Sequence, residues 1–189
     1  MGLTEGMLTI VYSLAMGLVI GATAVVSRRI GEKDSEGAAV AAVQVIAVGL
    51  VLSVLIGILG VLYARPLLAL MGASEGVMAA PAAYAVVMLS GCGSVVMLFL
   101  NNAIFRAAGD AAVAMRVLWL ANSINIVLDP MLIFGIGPFP ELGVMGAAVA
   151  TTTGRSFAVL VQLWLLARGA GRIRIAWRHL QLVPSVMWS

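Results

Sequence analysis

The sequence predicts an all-α integral membrane protein with five transmembrane helices, and two observations indicate this fold class. First, 62% of the 189 residues are hydrophobic and only 10% are charged, whereas a soluble domain has about 45–50% apolar and about 25% charged residues. A chain with so few charges cannot cover its surface with them. Second, the apolar residues form five blocks, each near the roughly 20 residues that a helix needs to cross a bilayer.

We interpret the first apolar block as a membrane span and not as a secretory signal, because the residues before it lack a basic region and the block is longer than the apolar region of a signal peptide. We predict spans at residues 7–26, 37–63, 79–100, 112–134 and 143–167. Residues 168–189 are predicted to be a cytoplasmic amphipathic tail or a linker to a second lobe. The reason is that arginines are interspersed there with tryptophan and leucine.

Basic residues cluster in the first and third connections and after the fifth span. They are Arg28, Arg29, Lys33, Arg106, Arg116, Arg168, Arg172, Arg174 and Arg178. The positive-inside rule places these segments in the cytoplasm. The C-terminus is therefore predicted to be cytoplasmic, in a multi-pass protein of the inner (cytoplasmic) membrane. The N-terminus is predicted to lie outside, which indicates a preceding span. Because the bases are spread between apolar blocks, we expect no nucleic-acid partner.

Polar residues inside the fourth span are the main functional candidates. On a helix, Asn122, Asn125 and Asp129 share one face. Pro130 is predicted to kink this helix and to leave the Ile126 carbonyl without its usual partner. An ionisable group inside a membrane is by default a functional-site hypothesis. Asp129 with Asn125 would then bind a coupling proton or, transiently, Na⁺. The alternative is a structural hydrogen-bonding network at the kink.

The fifth span carries a second group of polar residues. Thr151 and Thr152 are predicted to lie at the depth of Asp129 and, with Asn122, to line a cavity; the alternative is that their hydroxyls bond back to their own helix. Arg155, near the middle of the span, is predicted to line the same cavity, because a buried guanidinium requires a partner or a hydrated cavity. Asp129 is one candidate partner, and snorkelling of Arg155 to the cytoplasmic side is the other interpretation.

Small residues recur at four-residue intervals in two spans, a pattern that predicts close helix–helix contacts in lipid. The first span has Gly17 and Gly21, and the fifth has Gly146, Ala150, Gly154 and Ala158. By contrast, Asn101 and Asn102 follow the predicted end of the third span. We therefore expect these two amides at the membrane interface.

The sequence offers little for catalysis or metal binding. Cys92 is the only cysteine and His179 the only histidine, which argues against a disulfide, a thiolate cluster and a histidine zinc site. There is also no nucleophile–base pair and no phosphate-binding loop. We predict that the protein is not an enzyme and needs no cofactor.

Four segments resemble the multidrug and toxic compound extrusion (MATE) transporters in order and spacing. They are VSRRIGEKDSEGAAVAAVQ, FRAAGD, ANSINIVLDPMLIFG and GPFPELGVMGAAVATTTGR. The resemblance implies two six-helix lobes, with residues 1–167 as the second to sixth spans of the N-terminal lobe. It also implies that Asn125 and Asp129 couple ion movement together with an acid on a first span that this sequence lacks.

The resemblance further implies the activity and the partners. The expected activity is cation-coupled (H⁺ or Na⁺) export of organic, often cationic, drugs and toxins. The expected partners are membrane lipid, a small organic substrate, and a second lobe or longer gene product. Two alternatives stay open. One is a lipid-linked sugar flippase of the same superfamily, for which only Arg155 supplies the expected basic lining. The other is an inactive membrane scaffold or remnant.

Overall fold

The computed structural model describes residues 2–70 and 79–169, and all regular structure in these ranges is helical. The helices are α1 (Gly2–Gly31), α2 (Ser35–Leu70), α3 (Ala79–Ser90), α4 (Cys92–Ala107), α5 (Ala111–Phe134) and α6 (Val144–Arg168). Five segments in the described part are long and apolar enough to cross a membrane: Thr9–Gly31, Ser35–Tyr63, Val86–Ala107, Ala111–Phe134 and Val144–Arg168. The predicted fold class is confirmed.

A tight turn joins α1 to α2. The Asp34 carboxylate accepts the Gly37 N–H at 2.8 Å, and the Asp34 carbonyl accepts the Ala38 N–H at 2.9 Å. This arrangement satisfies backbone donors that the first turn of a helix otherwise leaves without partners. Because the turn is short, α1 and α2 lie side by side and antiparallel.

The third span differs from its prediction at both ends. Residues 79–100 were expected as one helix, but the helix is interrupted at Gly91, between α3 and α4. The membrane-crossing part runs from Val86 to Ala107. As a result, Asn101 and Asn102 lie inside the span and are 0% and 3% exposed. The expectation of interfacial asparagines is wrong.

The physical reason is the position of α4 at the centre of the bundle. This helix contacts α1, α2, α5 and α6, and Val96, Leu100, Ile104 and Phe105 along it are almost completely buried. A helix that is surrounded by other helices can carry amide side chains within the membrane, because its neighbours shield those side chains from lipid. Hydropathy along the chain carries no information about which helix is surrounded.

The outward faces of the bundle are apolar. Ile20, Leu62, Trp119 and Ile126 are 65–72% exposed, on α1, α2 and α5. In a soluble protein, contact of such apolar faces with water would be unfavourable, but in a bilayer the faces contact lipid or other helices. The faces therefore agree with a membrane location.

The prediction of close helix–helix contacts at small residues is confirmed for α6, whereas Gly17 and Gly21 of α1 make no such contact with the described part of the chain. Gly146 and Gly154 are buried against α5, and a Cβ at Gly146 would collide with the Leu132 carbonyl. Among the described residues, a Cβ added at Gly17 or Gly21 would meet nothing within 4 Å. This part of α1 instead borders a cavity of about 250 Å³ against α2.

Helix α2 extends beyond the predicted second span, through Pro66 to Leu70. The amphipathic-tail prediction concerns residues 168–189, of which residues 170–189 lie outside the described part. The assignment of residues 1–167 to a partial lobe stays a prediction.

Candidate functional site

The site is built on the hairpin of α5 and α6. At the end of α5, Gly135 adopts a left-handed conformation (φ 67°). The chain then turns back, so that the Leu142 and Gly143 N–H groups donate to the carbonyls of Leu132 and Ile133. These bonds satisfy carbonyls that the helix end leaves free. With the turn fixed, Gly146 rests directly on the α5 backbone, and the two helices stay close.

The close approach of the helices brings Asn125, Asp129 and Thr151 together; we call these three residues the carboxylate site. The side-chain amide of Asn125 on α5 lies 3.2 Å from Thr151 Oγ1 on α6. With the amide oriented to satisfy both neighbours, Asn125 Nδ2 donates to Asp129 Oδ2 at 3.0 Å. Asn125 Oδ1 then accepts from Thr151 Oγ1 at 3.2 Å. All three side chains are half-buried.

Helix α5 continues through Pro130 and ends one turn later at Phe134. Pro130 has no N–H to offer the Ile126 carbonyl, while the Ile126 side chain is 72% exposed and faces away from the bundle. The predicted kink, and a role for the freed carbonyl, stay predictions.

Asn122 and Thr152, which were predicted to line a cavity with these residues, lie elsewhere. The Asn122 side chain is exposed and makes no side-chain hydrogen bond within residues 2–70 and 79–169. Thr152 faces the helix break and rests on Gly91, where it borders a separate cavity of about 300 Å³ with Ser90 and Ser156. Among the threonines, Thr151 contacts Asn125, while Thr153 bonds back to the Val149 carbonyl at 2.7 Å.

Arg155 is half-buried on α6, one turn after Thr151. Throughout the described ranges, its guanidinium forms no ion pair, so the pairing with Asp129 that we considered does not occur here. On a helical wheel, Arg155 lies between the direction of Thr151, toward α5, and that of Thr152, toward the α3–α4 break. Its helical position therefore places it on the inner side of α6.

Sequence reasoning missed three buried amides, Asn101, Asn102 and Gln162; we call the bonded pair Asn102 and Gln162 the amide cluster. Gln162 Nε2 donates to Asn102 Oδ1 at 2.9 Å and so joins α6 to α4. All three side chains are at most 3% exposed. A signal existed in the sequence, because Gln162 interrupts an apolar run on the α6 face that also carries Thr151.

The side chains that could act as ligands limit what the carboxylate site can bind. In the described ranges, no three His, Cys, Asp or Glu residues lie together as a metal site would require. Asp129, Asn125 and Thr151 nevertheless supply carboxylate, amide and hydroxyl oxygens, the ligand type that hard cations prefer. A proton could instead bind to Asp129 directly. The geometry thus defines a candidate ion site within a membrane bundle.

Secondary transporters bind ions and substrates within a helical membrane bundle, and a carboxylate between two spans is compatible with that class. The sequence profile of the MatE family matches residues 1–131. A solved structure, an inward-facing multidrug resistance MATE family transporter of the MOP superfamily, is similar over 99% of this chain and 42% of its own. Its TM-score is 0.87 at 32% identity. This chain belongs to the MATE family.

Two curated relatives are also similar. The FAD transporter of Shewanella oneidensis is 34% identical over 142 residues, which cover 75% of this chain and 31% of that protein. The probable multidrug resistance protein YoeA of Bacillus subtilis is 28% identical over 154 residues, or 80% of this chain and 33% of that protein. The chain therefore spans about one third of the length of these relatives. It is a multi-pass membrane protein of a transporter family.

Proposed function

We propose that this chain acts in a cation-coupled exporter, which moves small organic compounds out across the cytoplasmic membrane in exchange for H⁺ or Na⁺. The observation that carries the proposal is the Asp129 carboxylate, which lies within a span and is bonded through Asn125 to Thr151 on the next span. An ion that binds there changes the charge at the contact between α5 and α6. Such a change can bias one arrangement of the helices over another.

The hydrogen-bond directions favour a proton as the coupling ion. Asn125 Nδ2 points at Asp129, and an N–H donor next to the carboxylate would repel Na⁺. For Na⁺ to bind, the amide would have to rotate and present its oxygen. A proton requires no such change, because the protonated carboxyl can still accept from Asn125 through its other oxygen.

The proposal includes partners beyond the described helices. Because the chain spans about one third of its curated relatives, we propose that a second lobe, in a longer product or a separate chain, completes the transport path. The C-terminus is proposed to face the cytoplasm, since Arg28, Arg29 and Arg106 would then follow the positive-inside rule.

The test is transport in reconstituted vesicles. The chain would be purified together with the second lobe, as a longer product or as a separate chain, and placed in liposomes. Ethidium movement would then be followed by fluorescence under an imposed proton gradient and, separately, a sodium gradient. We expect movement driven by the proton gradient that a proton-conducting ionophore abolishes. Movement under neither gradient, in vesicles shown to contain folded helical protein, would overturn the proposal for this chain.

Arg155 supports a second candidate, export of an organic anion. A half-buried guanidinium with no ion pair in the described part is suited to a carboxylate or phosphate group. A relative that is 34% identical is an FAD transporter, and FAD carries a diphosphate. The flippase alternative rests on the same residue, because lipid-linked sugars also carry diphosphates.

This candidate requires its own measurement. FAD movement would be followed by flavin fluorescence in the same vesicles, with Arg155→Gln compared with Arg116→Gln, which removes an exposed arginine of α5. We expect Arg155→Gln to lower FAD transport at least several-fold and Arg116→Gln to leave it unchanged. No FAD transport, or equal transport by all three proteins, would reject the anion candidate.

A further inference from the structure

A groove of about 700 Å³ runs between α2 and α6. Its floor is the point where α3 ends and α4 begins, at Ser90, Gly93 and Ser94. All of its lining residues lie within the membrane-crossing parts of their helices. Neither the carboxylate site nor Arg155 lines the groove, so the proposed export chemistry gives it no role.

The walls of the groove are apolar and open sideways toward lipid. Their most exposed side chains, at 52–65% exposure, are Leu50, Val54, Ile58 and Leu62 on α2 and Leu160 on α6. None of the described residues that line the groove is charged. Cavities of about 300–1,000 Å³ with mostly apolar walls and a few polar groups are typical of sites for drug-sized molecules. The groove therefore has the size and lining of a site for an uncharged, lipophilic molecule.

The polar side chains of the groove are four serines: Ser53, Ser90, Ser94 and Ser156. Three of their hydroxyls already donate to backbone carbonyls. Ser90 Oγ donates to the Val87 carbonyl at 3.0 Å. Ser94 Oγ donates to the Gly91 carbonyl at 2.7 Å, and Ser53 Oγ donates to a carbonyl of α4 at 3.3 Å. Because a hydroxyl has one donor but two acceptor lone pairs, these three oxygens can still accept a hydrogen bond.

The hydroxyls lie where the groove joins a second cavity. The cavity of about 300 Å³ beside Thr152 shares Ser90, Ser94 and Ser156 with the groove. Polar groups are therefore concentrated at this junction, while the rest of the groove is apolar. A molecule with one polar end would match this distribution if its polar end lay at the junction.

We propose that these serines and the apolar walls, together called the serine groove, bind an uncharged lipophilic alcohol or phenol. The hydroxyl of the ligand donates to Ser90 or Ser94, and its apolar part lies against α2. Lipid tails offer no acceptor, so the ligand hydroxyl gains a hydrogen bond by entering the groove. A lipid acyl chain fits the walls but has no donor. An organic cation would find acceptors but no carboxylate to compensate its charge.

Photoaffinity labelling in lipid nanodiscs tests the proposal. The probe is a trifluoromethyl-phenyldiazirine with a hydroxymethyl group on its ring. Its methyl ether is the matched control, because it differs by one methyl group and has no donor. The protein is purified as for the transport assay, and no ion gradient is applied, so the outcome does not depend on the proposed export. Labelling is measured relative to the exposed Ile20 of α1, which corrects for the amount of each probe in the lipid.

In the unaltered protein, we expect the alcohol to label the groove-lining peptides of α2 and α6 at least several-fold more than the ether does. An excess of benzyl alcohol should compete with this labelling. Equal labelling by the alcohol and the ether would mean that the groove takes any apolar molecule, and it would overturn the proposal. Labelling by the alcohol that benzyl alcohol does not reduce would also overturn it.

One pair of variants tests the acceptor oxygens. Ser90→Ala combined with Ser94→Ala should lower labelling by the alcohol to the level of the ether. Ser13→Ala is the matched control, because Ser13 also donates to a carbonyl of its own helix, that of Thr9 at 2.9 Å, but lies on α1 outside the groove. It should leave labelling unchanged. Equal labelling of the two variant proteins would reject the role of the serines.

A third variant fills the groove. Gly57 lines it, and among the described residues a Cβ added there would meet only the Ser90 carbonyl, at 3.7 Å, an ordinary van der Waals distance. We expect Gly57→Leu to reduce labelling by the alcohol at least several-fold, and undiminished labelling in the folded variant would place the ligand elsewhere. Circular dichroism identifies any variant that does not fold, and the comparison of alcohol with ether in the unaltered protein then decides alone.

Discussion

The carboxylate site and the amide cluster use the same side of α6 but differ in charge and burial. Thr151 and Gln162 are 11 positions apart in the sequence, which corresponds to about 16 Å along the helix and a rotation of only about 20°. The carboxylate site contains an ionisable group, is half-buried, and each of its side chains has a partner. The amide cluster is neutral, fully buried and only partly bonded.

This difference follows from the cost of desolvation. A carboxylate in a fully enclosed, apolar position would be held in its neutral form, and an ion could not easily reach it. Partial exposure of Asp129 is compatible with the proposed gain and loss of an ion. Neutral amides tolerate complete enclosure better, and they can join two helices where a charge could not. The comparison agrees with the proposed ion exchange at the carboxylate site and with attachment of α6 to α4 at the amide cluster.

The largest expected effect is on ion-driven transport. Asp129→Asn keeps the size of the side chain and its acceptor oxygen but removes the ionisable group. We expect gradient-driven ethidium movement to fall to the level of protein-free vesicles. Glu141→Gln is the matched control, because it removes an exposed carboxylate in the α5–α6 turn. Unchanged transport in Asp129→Asn would show that the carboxylate site is structural, like the amide cluster.

The next effect is on stability, because Gly146 allows the helix contact that assembles the carboxylate site. A Cβ at Gly146 would collide with the Leu132 carbonyl and would lie 2.9 Å from the Ile133 nitrogen. Backbone atoms cannot easily move aside, so we expect Gly146→Ala to destabilise the protein by about 1–3 kcal/mol. Unfolding by SDS titration measures this. Gly17→Ala, in open space, should be near neutral, and equal losses would contradict the difference in packing.

A double-mutant cycle tests whether the amide cluster attaches α6 to α4. Asn102→Leu and Gln162→Leu each remove one partner of the 2.9 Å bond. We expect each single variant to lose about 0.5–2 kcal/mol of unfolding free energy. The double variant should lose less than the sum, because it leaves no orphaned partner. Strict additivity in SDS titration would mean that the two amides do not interact.

The smallest expected effect is a difference in transport between substitutions of Asn125 and Asn122, two asparagines that the sequence predicted to share one helix face. Asn125→Ala removes a hydrogen bond between helices, a type that averages about 0.6 kcal/mol in membranes. This corresponds to a change of about threefold in a rate or an equilibrium. We expect transport to fall by about that factor. Asn122→Ala, at an exposed position, should have no effect, and equal effects of the two variants would contradict the assigned geometry.

Several features could be predicted because they depend on local pattern. Long apolar blocks require helices in a bilayer, whatever their neighbours are. Asp129 and Pro130 stood out as residues that an apolar helix would not otherwise contain. The small-residue stripe of α6 correctly indicated a close contact. The same pattern in α1 did not, since whether a glycine touches another helix depends on the distance between two segments that sequence spacing does not report.

The sequence by itself therefore determined the helical membrane class, the five spans, and Asp129 with Asn125 as the candidate ion site. Only the tertiary structure decided which polar residues meet. It joined Asn125 to Thr151, left Arg155 without an ion pair in the described ranges, and enclosed Asn101 and Asn102 with Gln162. The physical reason is that hydropathy is a property of each segment, whereas burial depends on which helix is surrounded. Because α4 lies at the centre, its amides are in the interior and not at the membrane surface.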